Sequence, residues 1–183
     1  MAHFGTDYVA AFGVVARLES IAVMPMASIS LAMVTLTGMF YGAKQFKILD
    51  DTVWYSLKIS VLMSLVVAAV FFAIPGLFFR IFTNDTGLIQ LGVDYMRINV
   101  FTFPFMAVTI TMSRVMQGLG YGLPGMVVNL TRVIILAVPL SFAFIFIFNL
   151  PYLSVPVAGV CGGGVASLVG VVWYRSLLKK CQS

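Results

Sequence analysis

Ser20–Ala43 reads SIAVMPMASISLAMVTLTGMFYGA, 24 residues without one charged side chain. A bilayer core about 30 Å thick is crossed by about 20 apolar residues in helical form, because a helix satisfies its backbone N–H and C=O groups within the segment. The stretch meets that length and predicts a membrane-spanning helix. Working outward, Ile59–Phe79 is uncharged over 21 residues and Val133–Tyr174 over 42. The second is too long for one crossing, and Asn149–Pro156, with two prolines among polar residues, divides it. Leu91–Gln117 is uncharged between Arg97 and Arg114, whose long stems can reach the interface from span ends. The pattern predicts an all-α polytopic membrane helical bundle of about five transmembrane helices, one membrane domain over residues 1–183. The spans fall at about 8–41, 54–80, 91–117, 125–148 and 156–178.

Composition supports this reading. Hydrophobic residues make up 61% of the 183, and charged residues 9%, against roughly 25% in soluble domains. The net charge of +5 comes from 11 Lys/Arg against 6 Asp/Glu. Nucleic-acid binding needs basic side chains clustered on one face, and no cluster here exceeds Lys179-Lys180; no nucleic-acid partner is expected. The basic excess reads instead as a topology signal. Lys44, Lys47, Lys58, Arg114, Arg175, Lys179 and Lys180 fall at one end of the spans, and Arg80 and Arg97 at the other. Positive loops resist crossing the membrane, so the C-terminus is expected in the cytoplasm of an integral multi-pass protein of the plasma (inner) membrane. Five spans then leave the N-terminus outside. Met1–Asp7 lacks the Lys or Arg that opens a cleavable leader. An odd helix count with an uncleaved outside start suggests part of a larger assembly.

Several motifs carry a family resemblance. Val9-Ala10-Ala11-Phe12-Gly13 is followed by Arg17-Leu18-Glu19-Ser20, Pro25 and a closing Gly42-Ala43. Then come Phe79-Arg80-Ile81-Phe82-Thr83-Asn84-Asp85, Tyr95-Met96-Arg97-Ile98, Gln117-Gly118-Leu119-Gly120 with Pro124, and Pro139-Leu140. In this order and spacing the chain resembles the C-terminal half of a MATE (multidrug and toxic compound extrusion) transporter. The resemblance implies about helices eight to twelve: an incomplete C-lobe of a two-lobe transporter, without the lobe's first helix and the N-lobe. It also implies exchange of amphipathic cationic small molecules for a sodium ion or proton, with no other cofactor. The implied partners are the lipid bilayer and a missing N-terminal lobe or another chain. The nearest alternatives are a lipid or polysaccharide flippase of the same superfamily and a non-transporting accessory membrane protein.

The candidate pathway residues are the polar groups inside apolar helices, since each uncompensated charge there costs roughly 2.5–3.5 kcal/mol on insertion scales. Arg17 and Glu19, two apart, point about 200° from each other on a helix and so need separate partners. Either Glu19 lies on the cation or substrate path, or both residues anchor the helix at the outer interface. Asn99, Thr102, Thr109, Thr111, Ser113 and Gln117 give the third span a polar supply. Asn99, Thr109 and Gln117 are the pathway candidates among them, the alternative being hydroxyls that bond their own helix or glue neighbours. This span has no acidic residue between Arg97 and Gln117, which speaks against the tenth-helix acidic coupling of some family branches. Asn129 and Arg132, three apart, share a face and suit structural pairing, the alternative being that Arg132 meets an anionic group or caps carbonyls at the cytoplasmic end.

Pro25, Pro75, Pro104 and Pro139 fall inside four predicted spans, where each removes a backbone hydrogen bond and permits a kink. Gly159, Gly163 and Ser167 form a small-residue ridge that lets helices approach closely. Gly120-Tyr121-Gly122-Leu123-Pro124-Gly125 matches a dinucleotide fingerprint only formally, because no acidic residue follows Asp94. His3 is the single histidine, Cys161 and Cys181 have no ligand spacing, and no hydrolase or zinc-protease motif occurs. No enzyme and no metal site is expected. The 11 Met and 16 Phe suit lipid contact or an adaptable drug pocket.

Overall fold

The computed structural model describes residues 6–144 and 154–182. They are helical, with no strand among them. Four helices are long and apolar enough to cross a membrane, and a bent pair brings the number up to five.

Helix α1, Thr6–Gly42, is 37 residues long, or about 55 Å at 1.5 Å per residue, and continues through Pro25. It closes where Lys44 takes φ 56°, a left-handed conformation that lets Gln45 N–H reach back to Phe40 C=O at 2.9 Å. Helix α2, Phe46–Ala73, starts eight residues before the expected span and stops seven before its expected end. Pro75 is the reason. It has no N–H for the Phe71 carbonyl and its ring crowds that carbonyl, so the helix breaks at Ile74 and restarts as α3, Pro75–Arg80. Pro75 therefore opens a short helix and lies inside no span. Asp85 caps the next helix, α4 (Thr86–Asn99), accepting from Gly87 N–H at 2.9 Å and Leu88 N–H at 3.4 Å.

The expected continuous span 91–117 is two helices. Helix α4 ends at Asn99, α5 runs Thr102–Gly118, and the two are bent by 55° at Val100–Phe101. Pro104, in the first turn of α5, cannot donate to the Val100 carbonyl. Hydropathy gives the length of an apolar run but not its direction.

Gly122–Leu130 forms α6, Thr131–Ala137 widens into a π-helix, and Val138–Phe142 forms α7. Pro139 follows the wide turns, where its missing N–H leaves the Ile135 carbonyl without an α-type donor. Asn149–Leu153, most of the expected turn, lies outside the described residues, and Ser154–Pro156 already belong to α8, Ser154–Gln182.

Two buried clusters fill the interior. One joins the first half of α1 to α3–α5 through Leu18, Met26, Phe79, Met96 and Phe103. The other joins the end of α1, the start of α2 and the ends of α5 and α8 through Met33, Val53, Met112, Met116 and Tyr174. Helix α5 contributes to both. The small residues of α8 lie against it, Gly163 with its Cβ position 3.1 Å from Phe105 Cβ and Gly159 3.8 Å from Thr102 Oγ1. Ser167 is buried and donates to Gly164 C=O at 2.7 Å. Gly118 leaves no room for a side chain, since a Cβ there would overlap Thr37 Oγ1 of α1.

Candidate substrate and ion cavity

Helices α1, α4, α5, α7 and α8 and the π segment line an open cavity of about 300 Å³. Its acid is Glu19 from α1 and its base Arg132 from the π segment, 113 positions away in sequence. Each is the charge whose field reaches the other. Tyr95 and Asn99 of α4, one helical turn apart, and Thr102 of α5 just past the bend share the lining with them. Phe12 meets the Tyr95 ring edge-on at 5.9 Å, and Met106, Val133, Ala137 and Val155 complete the apolar wall.

The polar lining is unsaturated. Asn99 and Thr102 are each 6% exposed; the Asn99 amide faces the Glu19 carboxylate, whereas Thr102 Oγ1 closes no hydrogen bond. Arg132 Nε is buried and unpartnered as well, and so is Ser154 Oγ, next to the lining residue Val155. Buried polar groups are ordinarily satisfied by protein or water, and leaving one bare costs about 1–3 kcal/mol. Two of these atoms, Thr102 Oγ1 and Arg132 Nε, belong to residues that line the void together with Glu19, a space suited to water, an ion or a polar ligand.

The structure brings together two of the five pathway candidates. Glu19 and Asn99 share the cavity. Arg17 is absent from its lining, in keeping with the two-residue offset from Glu19. Thr109 is buried against its own helix, donating to Phe105 C=O at 2.8 Å. Gln117 is exposed at the end of α5, where its Oε1 accepts from Arg114 Nη1 at 3.0 Å. Asn129 and Arg132 part company. Asn129 Nδ2 donates to Ser113 Oγ at 3.1 Å and Gly125 C=O at 3.2 Å, whereas Arg132, one residue into the π-helix, lines the cavity. In the sequence Tyr95 enters only as part of a family motif and Ser141 not at all; Tyr95, four before Asn99 on an amphipathic helix, could have been found as a lining residue by that spacing. Of the prolines, Pro25 sits within α1, Pro104 at the α4–α5 bend and Pro139 after the π-helix. Among the described residues no group of three His, Cys, Asp or Glu could hold a metal.

Long apolar helices packed around a polar, charge-lined void define a lobe of a membrane transporter. The family model MatE matches residues 1–143, and the chain belongs to that family. It is 27% identical over 164 residues to a probable multidrug resistance protein NorM of Thermotoga maritima, covering 89% of this chain and 33% of that protein. The fold matches a MOP superfamily transporter from Pyrococcus furiosus with a TM-score of 0.92 at 21% identity, over 98% of this chain and 40% of the other. It also matches an outward-facing multidrug resistance MATE transporter at 0.90 and 23%, over the same shares. The chain thus spans about a third to two fifths of the length of these relatives.

Proposed function

We propose that this chain forms part of a cation-coupled multidrug efflux antiporter, with the Glu19–Arg132 cavity on its substrate and ion pathway. The observation that carries the reading is the convergence of Glu19, Asn99, Thr102 and Arg132 on one void among membrane-spanning helices. A charge at bilayer depth is retained where it faces water or a partner, and here both charges do. Glu19 supplies the negative group that an amphipathic cationic drug, a sodium ion or a proton needs in apolar surroundings. Arg132 holds that carboxylate in check until the cation arrives, so release of one cation and uptake of the other alternate at a single acid. The bend at Val100–Phe101 and the π-helix give the walls places to flex as one bundle rocks against another.

The proposed setting is the plasma (inner) membrane with the C-terminus in the cytoplasm, and the proposed partner an N-terminal lobe or another chain. Alternating access needs a second bundle, so the chain alone does not transport. Liposomes holding only this chain should not exchange a dye for sodium ions or protons; exchange would overturn that part. The site is tested in the assembled transporter by Glu19→Gln, which keeps size and removes charge. Drug efflux falls while membrane abundance holds if Glu19 is on the pathway. Normal efflux would sink the assignment, and loss of protein together with efflux would reduce Glu19 to a structural partner.

A further inference from the structure

At the opposite end of the bundle from Lys179-Lys180, a second polar basin is formed by the end of α2, the break at Ile74, α3 and α4. One cavity there, of about 430 Å³, is lined by Arg80 and Arg97 with Gln90. An adjoining one, of about 500 Å³, shares Arg80, Ile89 and Gln90 and adds Asn84 and Thr86. Neither arginine closes a hydrogen bond or ion pair among the described residues. The nearby acids are already engaged: Asp85 caps α4, and Asp94 accepts from Gln90 Nε2 at 3.1 Å. The basin therefore presents two guanidinium groups without an ion-pair partner among the described residues.

Its place in the membrane narrows the set of ligands that can fill it. The spanning part of α2 ends at Ala73, so the basin opens at the depth where hydrocarbon gives way to headgroups. Around it Leu77 is 59% and Ile81 73% exposed, apolar side chains pointing outward next to Arg80. Arginines beside exposed aliphatic groups at a span end match a phosphate with acyl chains below it, and guanidinium pairs phosphate oxygens in a bidentate fork. We propose that the Arg80–Arg97 basin holds the headgroup of an anionic phospholipid of the surrounding bilayer, its phosphate between the two arginines and its acyl chains along Leu77 and Ile81.

The test is a native mass spectrometry titration of the full chain, released from detergent, with phosphatidylglycerol and phosphatidylcholine of identical acyl chains. Each basic side chain near an anionic surface contributes a factor of about five, so phosphatidylglycerol is expected to bind roughly 30-fold more tightly. Arg80→Gln with Arg97→Gln should bring the two lipids to parity, and Arg80→Lys with Arg97→Lys should keep most of the preference. Circular dichroism of each variant reports that the helices persist. Equal retention of both lipids by the unaltered chain, or a full preference in the double glutamine variant, overturns the proposal. So does displacement of phosphatidylglycerol by equimolar inorganic phosphate, which would show a site for free phosphate and no role for the acyl chains.

Discussion

Helix α5 and the α6–π–α7 arm both belong to the spanning bundle, and they are inverted in chemistry. Helix α5 hides Thr102, Thr109, Thr111 and Ser113 among apolar neighbours. The arm turns Leu123, Met126, Ile134, Ile135, Val138 and Phe142 outward, with Leu123 76% exposed. In water the second would be a large apolar patch and an aggregation hazard. In lipid, exposed apolar groups cost nothing and polar groups must be concealed or bonded. The hydroxyls of α5 are concealed by economical means. Thr109 bonds its own helix, Thr111 shares a hydrogen bond with Ser30 of α1 at 3.0 Å, and Ser113 donates to Gly125 C=O of α6 at 3.1 Å. Thr102 alone of the four is left bare, and it is the one that faces the cavity.

That contrast can be broken by four substitutions. Ile135→Lys, 60% exposed at mid-arm, places a charge where lipid or a second bundle is expected. It should cost about 3 kcal/mol in membrane insertion, read as a sharp drop in membrane-integrated chain against a total-expression control; normal insertion would mean that this face meets water. Gly163→Leu must displace Phe105, whose Cβ lies 3.1 Å from the Cβ position. Overpacking of this kind costs about 1–3 kcal/mol, and a lower melting temperature in detergent is expected. Ser113→Ala removes the donor to Gly125 and the acceptor for Asn129. Interhelical hydrogen bonds in membranes average about 0.6 kcal/mol, so the unfolding midpoint in denaturing detergent should shift only slightly. Met126→Leu, 57% exposed on the arm, should leave the melting temperature unchanged within about 0.5 kcal/mol; a clear loss would show that the arm packs against something in the isolated chain.

The same contrast explains how much could be read in advance. Spanning helices were legible because α1, α2 and α8 each contain a long uncharged run, and lipid rewards that property regardless of packing. The breaks at Ile74 and Val100–Phe101 were not, although Pro75 and Pro104 stand out in the sequence, because a proline can kink, open or merely decorate a helix and only the neighbours decide. Within the site, Glu19 and Asn99 were legible as polar groups too costly to face lipid. Thr109 and Gln117 met the same criterion and lie elsewhere: a hydroxyl can satisfy itself on its own helix, and a residue at a helix end can reach out of the bundle. The juxtaposition of Glu19 with Arg132 depends on how α1 and the π segment pack, which no local pattern encodes.

The wide turns at Thr131–Ala137 also bear on how this helix could have changed by insertion or deletion. A π-turn closes its hydrogen bond one residue later than an α-turn, so it accommodates an extra residue without unwinding the helix beyond it. Removing one residue from the segment, for example Ile134, would let it relax to regular α-helix. The side chains on both sides of the deletion would keep their facing, because six residues at about 100° each turn through nearly the same angle as seven in the wider π geometry. With Asn129 held by Ser113 and Gly125, Ser141 would stay on the cavity wall and α7 would keep its apolar surface turned outward. A frame-preserving deletion of a single codon there would thus be absorbed within the segment, shifting Arg132, Val133 and Ala137 while the rest of the cavity's lining stays in place.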